Sequence, residues 1–468
     1  MSARTFYITT LGCPKNQADS RAMHRSMLAA GLVPSESAEG CDFHIVNSCA
    51  FTQSAKEETI ETVLEAGQVK KDSAEQKLVL AGCFAERYGT AVRDEMPEVD
   101  FSFGTGLYER AGRLVKDHFA LPDSVITPDG RNIGSAASIA ERMFAEGNRP
   151  YAPVKVSDGC NRGCAFCAIP LFRGRFRDRP MDEIIAECRD IAGKGVREVN
   201  LVSQDTNMYG GSPEKLLELA ERLQEIPELA WIRILYLYPD ARTEKLIRGM
   251  GRLEKVVPYL ESPVQHTAPG VLKAMRRAGS HESFRDLFAL ARERIKDVEI
   301  RTTFLLGFPG ETPADVDLLL KFMNETRPEK LALFTYSPEE GTPGFDLEAT
   351  VSEREAAERF NLVRDEHLRI LGEIHAERMD RVYPCMIDEV KGDGVVGRRP
   401  QDAPEADEVV FIEGFDGQAA SDRPTFAAPA PRVNGKEVKP GDILDVRITG
   451  FFEYDMSAVP AHDREIIE

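Results

Sequence analysis

Three cysteines stand within eight residues, at Cys160, Cys164 and Cys167, beside two glycines, an asparagine and an arginine in "SDGCNRGCAFCAIP". A structural zinc site closes with four ligands, whereas three thiolates on one short loop leave a metal with an open position. Sulfur-only ligation is typical of iron-sulfur clusters, so the direct reading is a 4Fe-4S cluster with one iron unligated by protein. A zinc knuckle is the competing reading, but it lacks its histidine near this loop.

A second trio is spread along the chain. Cys13, Cys49 and Cys83 recur at intervals of 36 and 34 residues, each closing an apolar run: "TFYITTLGC", "DFHIVNSC" and "KLVLAGC". Helical spacing follows each run, as with Met23, Met27 and Ala30, or Tyr88, Val92 and Met96. Strands joined by helices lie parallel and end on one sheet edge, where open α/β sheets bind ligands. The three cysteines are therefore expected to converge as a second metal site. Cysteine is also a frequently buried core residue, but packing alone gives no reason for it to recur at the same place in three units.

These residues need an α/β scaffold. The chain has 468 residues, enough for about three domains. Residues 1–120 read as an N-terminal parallel α/β domain and 121–150 as a linker containing "LPDSVITPDG". Residues 151–378 alternate six strand candidates, from "APVKVSD" to "KLALFTYSP", with helices, as in a partial or full β/α barrel whose site lies at the strand C-termini. Residues 379–468 change to short β runs separated by Gly, Pro and Asp, as in a small antiparallel barrel. No apolar run approaches the roughly 20 residues of a membrane span, and the first residues lack a secretory pattern. The expectation is a cytoplasmic protein with no membrane contact, whose nine cysteines are ligands or core residues rather than disulfides. A formal charge of −19 argues against a general nucleic-acid grip. The last block carries 10 basic and 19 acidic residues, a net −9 that suits a basic partner.

With these motifs in place, the chain resembles the radical S-adenosylmethionine (SAM) enzymes, which share the cysteine triple and the aromatic before its last member, here Phe166. "LGCPKNQADS", "VNSCAFTQSA" and "LAGCFAERYG" look like the cluster-binding domain of the methylthiotransferases, and the C-terminal block looks like their TRAM domain. "LGCPKN", "SDGCN", "RGRFRDRP" and "FTYSPEEGTP" resemble the branch that modifies an aspartate β-carbon of small-subunit ribosomal protein twelve. The alternative branch acts on a tRNA adenosine. The resemblance implies two 4Fe-4S clusters: one on Cys160, Cys164 and Cys167 that cleaves SAM to a deoxyadenosyl radical, and one on Cys13, Cys49 and Cys83 that serves sulfur insertion. It implies as partners the ribosomal protein or ribosome and an external electron donor, with tRNA only under the alternative.

Cofactor contacts are expected from Phe166 and from Gln204, Asp205, Gln265 and Arg301, polar residues at or just beyond predicted strand ends. Glycines of "GFPGET" at residues 307–312 could let backbone approach the adenine. Arg173, Arg175, Arg177 and Arg179 read either as contacts to substrate carboxylate or phosphate, or as a solvated loop. Cys41, Cys188 and Cys385 read as structural, and so does His266. The resemblance departs at Arg21, where glutamate is more usual, at "YLESPVQH" and at the linker. A cut near Met379 is expected to leave both clusters and SAM cleavage intact while abolishing substrate capture.

Overall fold

The computed structural model describes residues 4–71, 75–121, 149–391, 394–415 and 431–461. Nearly all of the expected linker lies outside the described residues.

The N-terminal sheet has five parallel strands in the order Val33–Pro34, Thr5–Thr10, Phe43–Ser48, Lys77–Gly82 and Phe101–Phe103. Phe43–Ser48 is buried along its whole length, as a strand covered on both faces must be. Helices Pro14–Ala29, Gln53–Lys71 and Cys83–Glu95 make the crossovers. The register pairs Thr10 with Asn47 and Ser48 with Gly82, so the three strand ends that precede Cys13, Cys49 and Cys83 lie on one edge.

Six parallel strands follow in two sheets of three: Tyr151–Lys155, Glu198–Val202 and Trp231–Ile234, then Tyr259–Glu261, Glu299–Leu306 and Lys330–Thr335. Backbone bonds from Val257 N–H to the Ile232 carbonyl (3.0 Å) and from Leu237 N–H to the Glu261 carbonyl (3.1 Å) join the sheets. The barrel is partial, with Tyr151–Lys155 at one edge and Lys330–Thr335 at the other. Helix Pro14–Ala29 packs against Tyr151–Lys155, so the N-terminal domain covers that edge.

This junction explains Arg21. Its guanidinium donates to Glu187 on helix Met181–Ala192 at 3.0 and 3.2 Å and to the Pro153 carbonyl, and Arg25 and Arg179 reach the same carboxylate at 3.4 and 2.9 Å. Burial alone would push the Glu187 carboxyl up, but Arg21, Arg179 and Arg25 outweigh it and hold the group down at about 2. An unfolded glutamate titrates near 4.3, so the contact contributes about 3 kcal/mol that is complete above about pH 5 and is lost as pH falls through the folded value. Glu187→Gln is therefore expected to lower the melting temperature at pH 7, with the gap from the unaltered chain narrowing as pH is taken to 3. Thermal melts across that range check this, and a gap independent of pH would refute it.

After the long helix Glu353–Arg378, five strands close a barrel in the order Val382–Lys391, Gly394–Arg398, Val410–Ile412, Asp455–Pro460 and Ile443–Phe452. Closure removes free strand edges. The expected antiparallel pattern holds except where Val410–Ile412 runs parallel to Asp455–Pro460. The block is bolted to the central barrel through buried charge. Glu299 accepts from Lys330 (2.6 Å) and Arg399 (2.9 Å) and is ion-paired with Arg378 (2.7 Å), while Lys330 also meets Asp402 (3.0 Å) and Glu408 (2.8 Å). Beside them, Glu198 pairs with Arg233 at 2.8 Å and with Arg398.

Candidate active site: two cysteine sites joined by one helix

The barrel cysteines sit on the loop beyond strand Tyr151–Lys155. Gly159 turns this loop with φ +80°, and a Cβ there would lie 2.3 Å from the Arg175 carbonyl oxygen, so no other residue fits. Cys160 N–H donates to the Gly174 carbonyl (3.1 Å), and Ala165 N–H to that of Met275 (2.9 Å), fixing both ends of the motif. Donors are aimed at the sulfurs: Arg162 N–H lies 3.3 Å from Cys160 Sγ, and Arg277 Nη1 lies 3.5 Å from Cys164 Sγ. Burial pushes the Cys160 thiol up to about 11 and that of Cys167 to about 12. Ionising them needs a compensating cation, which a bound metal provides. N–H groups directed at sulfur and a sulfur-only donor set fit an iron-sulfur cluster.

Arg162 lies inside the motif and anchors the mouth of the barrel. Its side chain donates to Asp205 (2.6 Å) and Asp240 (2.8 Å) and lies 3.8 Å from the centre of the Tyr238 ring, which Arg277 approaches to 4.4 Å. Asp205 thus stands beside the cysteine loop, its carboxyl pushed up by burial against the pull of Arg162. Gln204 Oε1 and Asp205 Oδ1 are buried without a hydrogen-bond partner. Two orphaned acceptors at a strand exit fit a ligand that brings donors, as the amino and hydroxyl groups of SAM would.

Gln265 and Tyr236, on neighbouring strand exits, have φ values of +70° and +64°. Left-handed backbone is costly for such side chains and is tolerated where it serves a site. Gln265 bridges strand Glu299–Leu306 by donating to the Thr303 carbonyl and accepting from Leu305 N–H, both at 2.8 Å. Phe166 packs on the apolar group formed by Ala165, Ala268, Val271, Met275, Leu305 and Phe308. Arg301 is engaged elsewhere: it donates to Asp407 and to the Ala406 carbonyl (2.8 Å) of the C-terminal block, 3.9 Å from Glu261.

The N-terminal cysteines converge. Gly12 and Gly82, with φ +89° and +98°, make the turns before Cys13 and Cys83. A Cβ on Gly12 would lie 2.9 Å from Cys49 Sγ, so Cys49 packs directly against the turn that carries Cys13. Burial pushes the Cys83 thiol up to about 12; Arg173 opposes the rise, while Cys49 and Cys13 add to it. Cys13 is also close enough to Tyr236 to raise the pKa of that phenol, after burial and Glu261. The N-terminal site therefore borders the barrel mouth. Among the described residues no three His, Cys, Asp or Glu side chains are placed around a single metal ion. A cluster instead takes its thiolates at separate iron corners.

The arginine run divides. Arg173 is buried against the N-terminal site, Arg179 serves Glu187, and Arg175 and Arg177 are exposed. His266 is structural: Nδ1 accepts from Thr267 N–H (2.9 Å) and Ala268 N–H (3.0 Å). In "GFPGET", Glu311 accepts from Gly307 N–H with both oxygens at 3.1 Å, and a Cβ on Gly307 would meet that of Ala356 at 2.7 Å. That glycine is explained by packing on the long helix. Cys41, Cys188 and Cys385 are buried.

Comparison with known proteins agrees with this architecture. Residues 154–323 match the radical SAM superfamily, residues 5–104 an uncharacterised family designated UPF0004, and residues 381–460 the TRAM domain. The ribosomal protein uS12 methylthiotransferase RimO of Leptospira biflexa is 44% identical over 454 residues, covering 97% of this chain and 96% of its own. The protein of that name from Myxococcus xanthus is 35% identical, covering 97% and 91%, and the one from Acetivibrio thermocellus is 33% identical, covering 96% of each chain. The solved structure of TsrM from Kitasatospora setae, a radical SAM methyltransferase with cobalamin and a [4Fe-4S] cluster bound, shares the fold with TM-score 0.55 at 14% identity, covering 74% of this chain and 77% of its own. With relatives of one name matching from end to end, and with both cysteine sites built on their expected strand ends, the chain belongs to the ribosomal protein uS12 methylthiotransferase (RimO) family of radical SAM enzymes.

Proposed function

We propose that this protein adds a methylthio group to the β-carbon of an aspartate in ribosomal protein uS12, using SAM and two 4Fe-4S clusters. One cluster would be held by Cys160, Cys164 and Cys167, the other by Cys13, Cys49 and Cys83. Such clusters supply one-electron cleavage of SAM, which activates an unreactive carbon–hydrogen bond, and a place from which sulfur is delivered. The chain's own residues hold and orient. Arg162 and Arg277 donate to the barrel thiolates, Gln204 and Asp205 offer acceptors to the SAM amino and ribose groups, and Phe166 walls the site. Gln265 shapes the mouth, and Arg301 ties it to the C-terminal block. Residues 1–120, 151–378 and 379–468 would serve as sulfur-site domain, radical domain and substrate-recognition domain, joined through 121–150. An external reductant would supply the electron, and the setting would be the cytoplasm.

The observation that carries this reading is the short helix Ile169–Arg173, which starts two residues after Cys167 and ends in a hydrogen bond to Cys83 Sγ. It makes one wall common to both cysteine sites, as a reaction joining radical formation to sulfur insertion requires. The net −9 of the last block favours a basic ribosomal protein over tRNA. The test offers anaerobically reconstituted enzyme both uS12 and tRNA and asks by mass spectrometry which gains a methylthio group. Modified uS12 is expected, and a methylthiolated tRNA with unmodified uS12 would refute the proposal.

A further inference from the structure

Arg173 is 3% exposed, and its guanidinium spends its polar contacts away from the barrel core. Nη1 donates to Asp19 Oδ2 at 2.7 Å and lies 3.6 Å from Asp158 Oδ2, while Nη2 donates to Asn16 Oδ1 at 3.0 Å and to Cys83 Sγ at 3.1 Å. Lys155 pairs with the same two carboxylates, and the Tyr108 ring lies 5.9 Å from the guanidinium carbon. Two cations thus face two carboxylates, and the ion pairs are complete without Cys83. The bond to sulfur is additional to that balance.

The arginine is also held rigidly. Ala168, Ile169 and Phe172 join the N-terminal apolar core that includes Leu11, Val46, Cys83 and Phe84. Thr105 Oγ1 donates to the Phe172 carbonyl at 2.5 Å. A guanidinium fixed on a thiolate supplies a directed, charged N–H donor, and hydrogen bonds to cluster sulfurs set reduction potential.

We infer that Arg173 is a positioning residue for the N-terminal site: its N–H···S bond orients the Cys83 thiolate and raises the reduction potential of the cluster bound there, from a helix anchored at the barrel's third cysteine. The inference rests on the two-cluster reading above. Asp19 moderates the effect by sharing the charge of Arg173.

The test uses the full chain carrying Cys160→Ala, Cys164→Ala and Cys167→Ala, so that iron is held by the N-terminal site alone, and follows the midpoint potential by spectroscopically monitored redox titration. Arg173→Gln is expected to keep its iron and titrate at lower potential. Arg173→Lys, which retains charge without the planar fork, falls between Gln and the parent. Asp19→Asn shifts the other way, to higher potential, because the guanidinium is then less neutralised. A merely structural role would move both Arg173→Gln and Asp19→Asn in one direction, or leave the potential alone, and either result overturns the inference. So does iron loss in Arg173→Gln that Arg173→Lys does not restore. A parent chain that binds no iron would instead overturn the two-cluster reading, and the inference with it.

Discussion

Replacing Cys160, Cys164 and Cys167 together by Ala is expected to abolish deoxyadenosine formation and to halve the iron content, from about eight to about four per chain. The thiols of that loop are the sulfurs toward which Arg162 N–H and Arg277 point, and Gln204 and Asp205 present unpartnered acceptors at the strand exit next to it. The complementary change, Cys13, Cys49 and Cys83 to Ala, removes the other half of the iron. It should leave deoxyadenosine formation in place while methylthiolated product disappears, because the barrel loop keeps its own backbone anchors to Gly174 and Met275. Iron analysis and chromatographic detection of deoxyadenosine read both variants. Cleavage that survives loss of the barrel trio would end the radical assignment. Product formed at the unaltered yield without the N-terminal trio would remove that site from sulfur insertion.

The convergence of Cys13, Cys49 and Cys83 was legible in sequence because parallel strands have a fixed geometry: three runs joined by helices must end on one edge. The barrel loop was legible because its three thiolates are local. What holds these residues in place was less visible. Arg277 reaches Cys164 across 113 residues and carries no local signal, and Tyr238 lies beyond its strand on a backbone whose course depends on the left-handed Tyr236. Arg162 had a signal, being inside the motif, but its two carboxylate partners come from different strand exits. The arginine run could not be divided in advance, since whether Arg173 is buried or exposed depends on which domain its helix docks against. Arg21, where the resemblance leads one to expect glutamate, is answered by Glu187 on another domain, a pairing that only the docked structure displays.

The buried junction argues against the expectation that a cut near Met379 leaves both clusters and SAM cleavage in place. Such a cut would remove Arg398, Arg399, Asp402 and Glu408, leaving Glu198 with Arg233, Glu299 with Lys330 and Arg378, and the junction open to water. Although burial alone would raise it, the Glu299 carboxyl is held below the usual carboxylate range by Arg399, Lys330 and Arg378. Breaking a buried pair by removing one partner costs about 3–5 kcal/mol, because the remaining charge is neither solvated nor matched. The chain ending at Met379 also bares Val202, Trp231, Leu235, Val257 and Tyr259, which Met386, Ala403 and Ile443 cover, and is expected to aggregate or to melt at lower temperature, weakening SAM cleavage with it. Arg399→Ala in the full chain isolates one such loss and should cost about 3–5 kcal/mol in denaturant unfolding, whereas Arg399→Lys, keeping the charge, should recover part of it. A truncated chain that melts cooperatively at the original temperature would show that the charge network contributes nothing. The C-terminal barrel would then act as a tethered module rather than as the fixed wall that Asp407 and Ala406 give to Arg301 at the barrel mouth.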